Sequence, residues 1–276
     1  MNKLSDNKFF ELPFGRIVAV GVGCGSESIM KHIIEEQNTR IEFIVANTNE
    51  QNGYEKLSLE LDGADIVFII AYLGEKEDIE TALSIAKLTK EIGTFTIGIV
   101  FEPFDFEENN RLKHADEKLE ALKSKCDSVV VISNDDTVFS RVISAISGVI
   151  LPIADNDINL DIDDLKTVMC HQGIATVGIG EYQGENAALE ALCHAMKDNV
   201  SLKNASGILV HFSMHPKFLL MELATAMEVL HESVDESAEV IFGTTTNESF
   251  PLDFIRATVI ATGVEKNQMV AVNNAQ

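Results

Sequence analysis

Short apolar runs alternate along this chain with segments whose apolar residues recur every three or four positions. Residues 17–20 (IVAV), 41–46 (IEFIVA), 65–71 (DIVFIIA), 94–101 (TFTIGIVF) and 128–132 (SVVVI) form the runs. They are too short and too rich in β-branched residues for helices, and their continuous hydrophobicity is that of strands covered on both faces. Between them, Ile29, Met30, Ile33 and Ile34 make one helical stripe, and Ile79, Leu83, Ala86 and Leu88 make another within residues 75–90. Leu112, Ala115, Leu119 and Leu122 stripe residues 107–125, and Val138, Val142, Ile146 and Val149 stripe residues 136–150, where Pro152 stops the helix. Strands and helices in alternation predict an α/β fold with a parallel, doubly wound sheet. The link over residues 51–62 is short, with room for little more than a turn or two of helix.

The second half keeps the alternation in a different proportion. Strands are predicted at 174–179, 208–212, 239–242 and 254–262, with helices at 185–197 and 218–232, which makes a compact α+β unit. An acidic loop, residues 155–164 (DNDINLDIDD), leads into a helix over 165–171, and residues 136–150 can connect the two halves. The first fifteen residues form a polar lead carrying Phe9, Phe10 and Phe14, expected to pack as a short arm.

Composition narrows the partners. The 276 residues are 46% hydrophobic and 24% charged, enough for one large domain or two smaller ones with a substantial core. A net charge of −23 argues against a sequence-independent grip on nucleic acid or anionic lipid, since both need a basic surface. The leading residues lack an apolar signal core, and Cys24, Cys126, Cys170 and Cys193 show no C-x-x-C spacing, so a reducing cytoplasm is expected. The longest apolar stretch, residues 66–73, falls well short of the roughly 20 residues that span a bilayer, so no transmembrane segment is expected.

Candidate chemistry begins after the first strand. In GVGCGSES, Gly21, Gly23 and Gly25 stand at every second position, where absent Cβ atoms permit positive φ and close approach of backbone N–H groups to a ligand. Ser26 or Ser28 can cap the helix that follows, whose N-terminal dipole favours a phosphate. The pattern is neither G-x-x-x-x-G-K-[ST] nor a full G-x-G-x-x-G, because Ser28 stands where the last glycine belongs. Glu27 also repels an anion. A tight βα turn accounts for these glycines as well as a nucleotide does. Asp161 and Asp164 can polarise water, yet acidic residues before a helix commonly serve its dipole. His211 and His215 are four apart, but Pro216 breaks any helix there, which works against a paired metal site. The pairs Cys170–His171 and Cys193–His194 are adjacent in sequence and point to opposite sides of a helix, so they read as packing residues. The acidic run from Glu75 to Glu80 reads as a solvated helix start.

Several strings taken together resemble the FtsZ branch of the tubulin-like family, over nearly the whole chain. INLDIDDLKTVM (158–169) is similar to the family's synergy loop and following helix; GIGEYQGENAALEAL (178–192), VIFGTTTNES (240–249) and RATVIATG (256–263) are similar to its C-terminal domain. GVGCGSES resembles its first phosphate loop, NTNEQ (47–51) the next, FEPFDFE (101–107) the loop usually read RPFxFE, and ISND (132–135) the one after. The resemblance implies a tubulin/FtsZ-like fold. A nucleotide-binding-type parallel-sheet domain with the central helix would occupy residues 1–150, and a smaller α+β C-terminal domain with the synergy loop would occupy 151–276. It also implies a GTP or GDP site drawing on Gly21, Gly23, Gly25, Ser28, Asn47, Gly74 and Asn134, Mg²⁺ wherever a nucleotide is bound, and FtsZ-type subunits, self or paralogue, as partners. Asn159, Asp161 and Asp164 match the synergy loop N-x-D-x-x-D position for position, and the resemblance assigns them catalysis on the nucleotide of the next subunit.

The departures are as specific as the matches. After the third strand the family carries GGGTGTG, whereas residues 71–81 read AYLGEKEDIET and keep only Gly74. Glu75, Glu77, Asp78 and Glu80 would set carboxylates among phosphates, each close pair costing on the order of 1 kcal/mol even in water. The segment that folds over the γ-phosphate is largely missing after Gln51, and the region between Asn134 and the central helix is trimmed, with Phe139 out of register for guanine. Asn49 replaces an Asp and Ser28 an Asn. The expected protein is a division-machinery, FtsZ-like subunit with an altered upper face and a complete lower one, binding GTP or GDP weakly or not at all. The alternatives are a divergent GTPase that polymerises alone and a non-enzymatic filament cap or scaffold.

Overall fold

The computed structural model describes residues 15–23, 41–46, 53–72, 76–101, 117–132, 141–143, 145–146, 157–159, 161–171, 173–197 and 202–264. Its first strands are β1 (Ile17–Gly21), β2 (Ile41–Val45), β3 (Ile66–Tyr72), β4 (Phe95–Phe101) and β5 (Ser128–Ile132), all parallel to their neighbours. Alternate residues of each strand enter opposite layers, as the pleat requires. Ile66, Phe68 and Ile70 join one buried cluster, while Val67, Ile69 and Ala71 join the other. This double burial is why β1, β3, β4 and β5 read as unbroken apolar runs; β2, at the sheet edge, leaves Glu42 and Val45 exposed, so the expected cover on both faces does not extend to it.

The link between β2 and β3 holds α1 (Gly53–Leu61), nine residues long and so about two and a half turns, slightly more than the sequence allotted it. Arg16 fixes it. Its guanidinium donates to Glu42 at 2.6 and 3.0 Å and to the carbonyls of Glu60 and Asp62 at 2.8 Å, so a cation meets the helix C-terminus. Arg16→Met keeps the aliphatic stem but strips these bonds. We expect it to lower stability by about 1–2 kcal/mol in urea denaturation, an amount held down by partial exposure of the pair.

Helix α2 (Lys76–Ile92) covers one face of the sheet. Its buried apolar positions are Ile79, Ala82, Ile85 and Ala86, whereas the expected inward residues Leu83 and Leu88 are partly buried and flank the cluster. Thr89, also buried, continues this stripe and is held by Thr96 Oγ1 of β4 at 2.8 Å, which leaves Leu83 and Leu88 to either side. Helical residues 117–123 bring Leu119 and Leu122 into the same cluster, and helical residues 141–143 and 145–146 put Val142 and Ile146 into the opposite one. The expected stripe positions Leu112, Ala115, Val138 and Val149 lie outside the described residues.

Beyond the acidic loop come α3 (Ile162–Met169), β6 (Ile174–Gln183), α4 (Ala187–Lys197), β7 (Gly207–Met214), α5 (Leu220–Ser233), β8 (Glu239–Thr246) and β9 (Phe254–Val264). Strand β9 runs antiparallel between β6 and β7, and β7 pairs parallel with β8. One pairing, Val130 with Ala175, joins β5 to β6, giving a nine-stranded sheet of order β2-β1-β3-β4-β5-β6-β9-β7-β8. The α/β class and mostly parallel sheet agree with the sequence expectation. Two strands run longer than their apolar cores: β6 continues through Gly180–Gln183 on β9, and β8 through Gly243–Thr246 on β7. Backbone pairing with a neighbour carries these polar ends, so hydrophobicity does not mark them. Helix α3 likewise begins at Ile162, three residues early, because Asp161 caps it. Among the described residues no helix is long and apolar enough to cross a membrane.

Candidate functional site

The first candidate site lies at the carboxyl ends of β1 and β3. The chain leaves β1 for β2 on one side and reaches β3 on the other, so the order reverses between β1 and β3, and such a switch point opens a crevice. Gly21 closes β1, its carbonyl accepting the Ala46 N–H at 2.9 Å, and the Val22 N–H donates to Ile70 O at 2.9 Å. Gly23 then turns at φ +81°, a conformation that favours glycine. Into the space left by its missing side chain comes Asp78 from the first turn of α2: a Cβ at Gly23 would fall on Asp78 Cγ and both carboxylate oxygens. Beside them, at the ends of β3 and β4, the Tyr72 and Phe101 rings stack with centroids 4.6 Å apart. The remaining sequence candidates here, Gly25, Ser28, Asn47, Gly74 and Asn134, lie outside the described residues. A carboxylate pressed on the glycine does not fit a phosphoryl group at Gly23, because the two like charges would share one cradle.

The second candidate site is the acidic loop, and its backbone is held. Ile158 exchanges bonds with Thr244 of β8, N–H to Oγ1 at 2.8 Å and O from N–H at 3.0 Å, while Asp157 Oδ1 accepts the Thr246 N–H at 2.8 Å. Asn159 Nδ2 donates to Asp157 O at 3.2 Å, and Asn159 Oδ1 is buried without a hydrogen-bond partner. Asp161, in extended conformation, accepts the Asp164 N–H at 2.7 Å and is the N-cap of α3. Its carboxylate therefore has a structural task whatever else it does. Asp164 lies in the first turn with its side chain exposed, and Asp163 meets Lys166 at 3.4 Å. The pins Asp157, Thr244 and Thr246 left no signal in the sequence; only β8 pairing reveals them.

These sites face away from each other. A Cβ at Gly15 would fall on Ile162 Cδ1, and Asp65 Oδ2 accepts the Arg16 N–H at 2.7 Å, so the start of α3 lies under the amino ends of β1 and β3. Gly23 and Asp78 lie at the carboxyl ends. At about 3.3 Å per residue the length of β3 sets them roughly 20 Å apart. Within one subunit, Asp161 and Asp164 cannot reach a ligand at Gly23.

The acidic loop shares its end of the molecule with an apolar surface. Residues 215–219 leave the carboxyl end of β7, residues 247–253 leave that of β8, and both neighbour the Asp157 pins. There Leu219 is 68% exposed, Leu220 55%, Met221 79% and Leu252 61%. A signal for the first three was present in the sequence: four successive apolar residues, Phe218 to Met221, cannot all face inward on a helix. Glu181 braces this end, its Oε1 accepting Arg256 Nε at 2.7 Å and Arg141 Nη2 at 2.8 Å, with Arg256 lying 5.5 Å from the Phe250 ring centroid.

The other reactive residues are individually engaged. His211 is buried in β7 with Nε2 2.6 Å from Thr245 Oγ1, and His215 Nδ1 accepts the Lys217 N–H at 3.0 Å. His171 meets Glu239 at 3.3 Å, and His194 Nδ1 lies 3.3 Å from Glu181 O. Burial pushes the Cys126 thiol up to about 12 and also raises Cys170, the opposite of an activated thiolate.

Known proteins share this architecture. The model of the FtsZ family, C-terminal domain, matches residues 173–265. The cell division protein FtsZ of Mycoplasmopsis pulmonis (strain UAB CTIP) is 31% identical, across 96% of this chain and 81% of its own length. That of Helicobacter pylori (strain ATCC 700392 / 26695) is 30% identical, across 91% and 80%. An empty FtsZ dimer structure from M. jannaschii superposes with a TM-score of 0.78 at 25% identity, covering 91% of this chain and 88% of that one. Similarity of this extent, in sequence and in fold, means that the chain belongs to the FtsZ family.

Proposed function

We propose that this protein is an FtsZ-like cytoskeletal subunit that acts by docking its lower end onto the nucleotide-bearing end of another FtsZ-type subunit, while holding guanine nucleotide weakly or not at all itself. One observation carries the reading: the two candidate sites sit at opposite ends of one sheet, the lower with its N-x-D-x-x-D loop pinned beside exposed leucines, the upper with a carboxylate against its glycine. In a head-to-tail assembly each contact joins two different surfaces, so a subunit with one competent surface terminates growth in that direction. Its acidic charge is compatible with this, because repulsion is screened beyond about 8 Å at physiological salt and short-range contacts decide.

The test is to mix the chain at substoichiometric ratio with an FtsZ and follow GTP turnover and filament length. Wild type is expected to shorten filaments and change turnover. Asp164→Ala, which removes an exposed carboxylate, and Asp161→Asn, which keeps an N-cap residue but loses the charge, are expected to bind yet leave turnover unchanged. No binding by wild type would sink the reading. A second reading, a cap without chemistry, is favoured by the engagement of Asp161 as N-cap; there all three proteins would shorten filaments and none would alter turnover per filament end.

A further inference from the structure

We propose that the Asp78 carboxylate is the chain's own anion in the crevice between β1 and β3, occupying the place of a phosphoryl group and excluding it. The proposal rests on the reading above that nucleotide is bound weakly or not at all, and it names the cause. Three independent features meet at this point. Topology places a crevice at the carboxyl ends of β1 and β3, where the strand order reverses. Gly23 turns there at φ +81° with no side chain, and the volume that a Cβ would take is filled by all three atoms of the Asp78 carboxylate group. Asp78 is the third residue of α2, so its negative charge sits in the first turn, where the helix dipole favours an anion. A glycine backbone and a helix start are the two parts from which proteins build phosphate cradles. Here one aspartate, carried on the first turn of the helix, sits against the glycine.

The charge, more than the volume, does the excluding. A carboxylate and a phosphoryl oxygen in one cradle repel each other, and a crevice walled by protein screens them less than bulk water does. Removing that charge while keeping the shape should therefore let an anion in.

The experiment measures GTP binding with Mg²⁺ by calorimetry on the full chain, for wild type, Asp78→Asn and Asp78→Ala, with a thermal melt of each protein. Asp78→Asn retains the size of the side chain, and Asp78→Ala removes both size and charge. Wild type is expected to bind weakly, and Asp78→Asn to bind at least about tenfold more tightly, the low end of one close like-charge pair removed. Asp78→Ala should gain at least as much, unless its melt shows that α2 has frayed, in which case Asp78→Asn decides. Equal affinity in folded wild type and Asp78→Asn overturns the proposal and leaves weak nucleotide binding standing. A gain confined to Asp78→Ala overturns the charge argument. Loss of a cooperative melt in both variants overturns it as well, since Asp78 would then be an element of the fold and not an occupant of a site. Tight binding by wild type overturns this proposal together with the reading on which it rests.

Discussion

Gly180→Ala is expected to destabilise the C-terminal half by about 3 kcal/mol or more, at the upper end of what overpacking a core costs. Helix α4 lies on β6 through Ala187, Ala188, Ala191 and Ala195, all fully buried, so the two backbones approach as closely as small residues permit. A Cβ at Gly180 would fall on the carbonyl oxygen of Ala191 and lie 2.6 Å from the Ala195 nitrogen and 2.8 Å from His194 Cβ. Two of these atoms are helix backbone, so no side-chain rotation relieves the collision. The helix must lift, opening the contact on which the Ala face depends. Gly98→Ala is the internal control. Its Cβ would meet Cys126 Sγ at 3.4 Å and Val129 Cγ2 at 3.5 Å, ordinary packing distances, and an alanine there restricts the unfolded chain. Gly98→Ala should therefore leave the unfolding free energy from urea denaturation within about 0.5 kcal/mol of wild type. Equal midpoints for both variants would show that the α4–β6 contact yields without cost.

Acid should destabilise the protein through His211. Burial, and secondarily the nearby Arg256 charge, lower its imidazole from 6.5 to about 4, so the native state holds it neutral beside Thr245. The unfolded chain takes up a proton below about 6.5 that the native chain refuses until about 4. Stability is therefore fully present above the higher value and is lost as pH falls through this window. The gap of about 2.5 corresponds to roughly 3 kcal/mol from this one residue. His211→Gln removes the titration while leaving an amide to bond the threonine. Denaturation of both proteins at a series of pH values between neutral and about 4 should show the wild-type advantage shrinking by roughly that amount toward the acid end. A pH-independent difference would mean that His211 binds its proton equally in the native and unfolded states, so that burial does not lower its pKa.

The same contrast between local and distant causes separates what could be read from the chain alone. Strands β1, β3, β4 and β5 were legible from the chain alone, because burial on both faces demands unbroken apolar residues such as Ile66 to Ala71, and the edge strand β2 was legible from its apolar Ile41, Phe43 and Ile44. The parallel class was legible too, through the alternating helices, and so was the N-x-D-x-x-D spacing of Asn159, Asp161 and Asp164, although Asp164 falls in the first turn of α3 and not in the loop. The polar ends of β6 and β8 were hidden, since only their pairing with β9 and β7 makes them strands. The inward face of α2 was legible in part: Ile79 and Ala86 are buried as expected, whereas Leu83 and Leu88 flank a stripe completed by Ala82, Ile85 and Thr89, because the rotation of the helix on the sheet is set by packing with distant strands. At the candidate sites, the sequence named the residues but not what each touches. That Asp78 fills the space beside Gly23, that Asp157 and Ile158 are pinned to Thr246 and Thr244, and that the two places lie at opposite ends of β1 and β3 come from the tertiary structure. Each depends on contacts between segments far apart in the chain, and no local pattern of hydrophobic and polar residues encodes such a meeting.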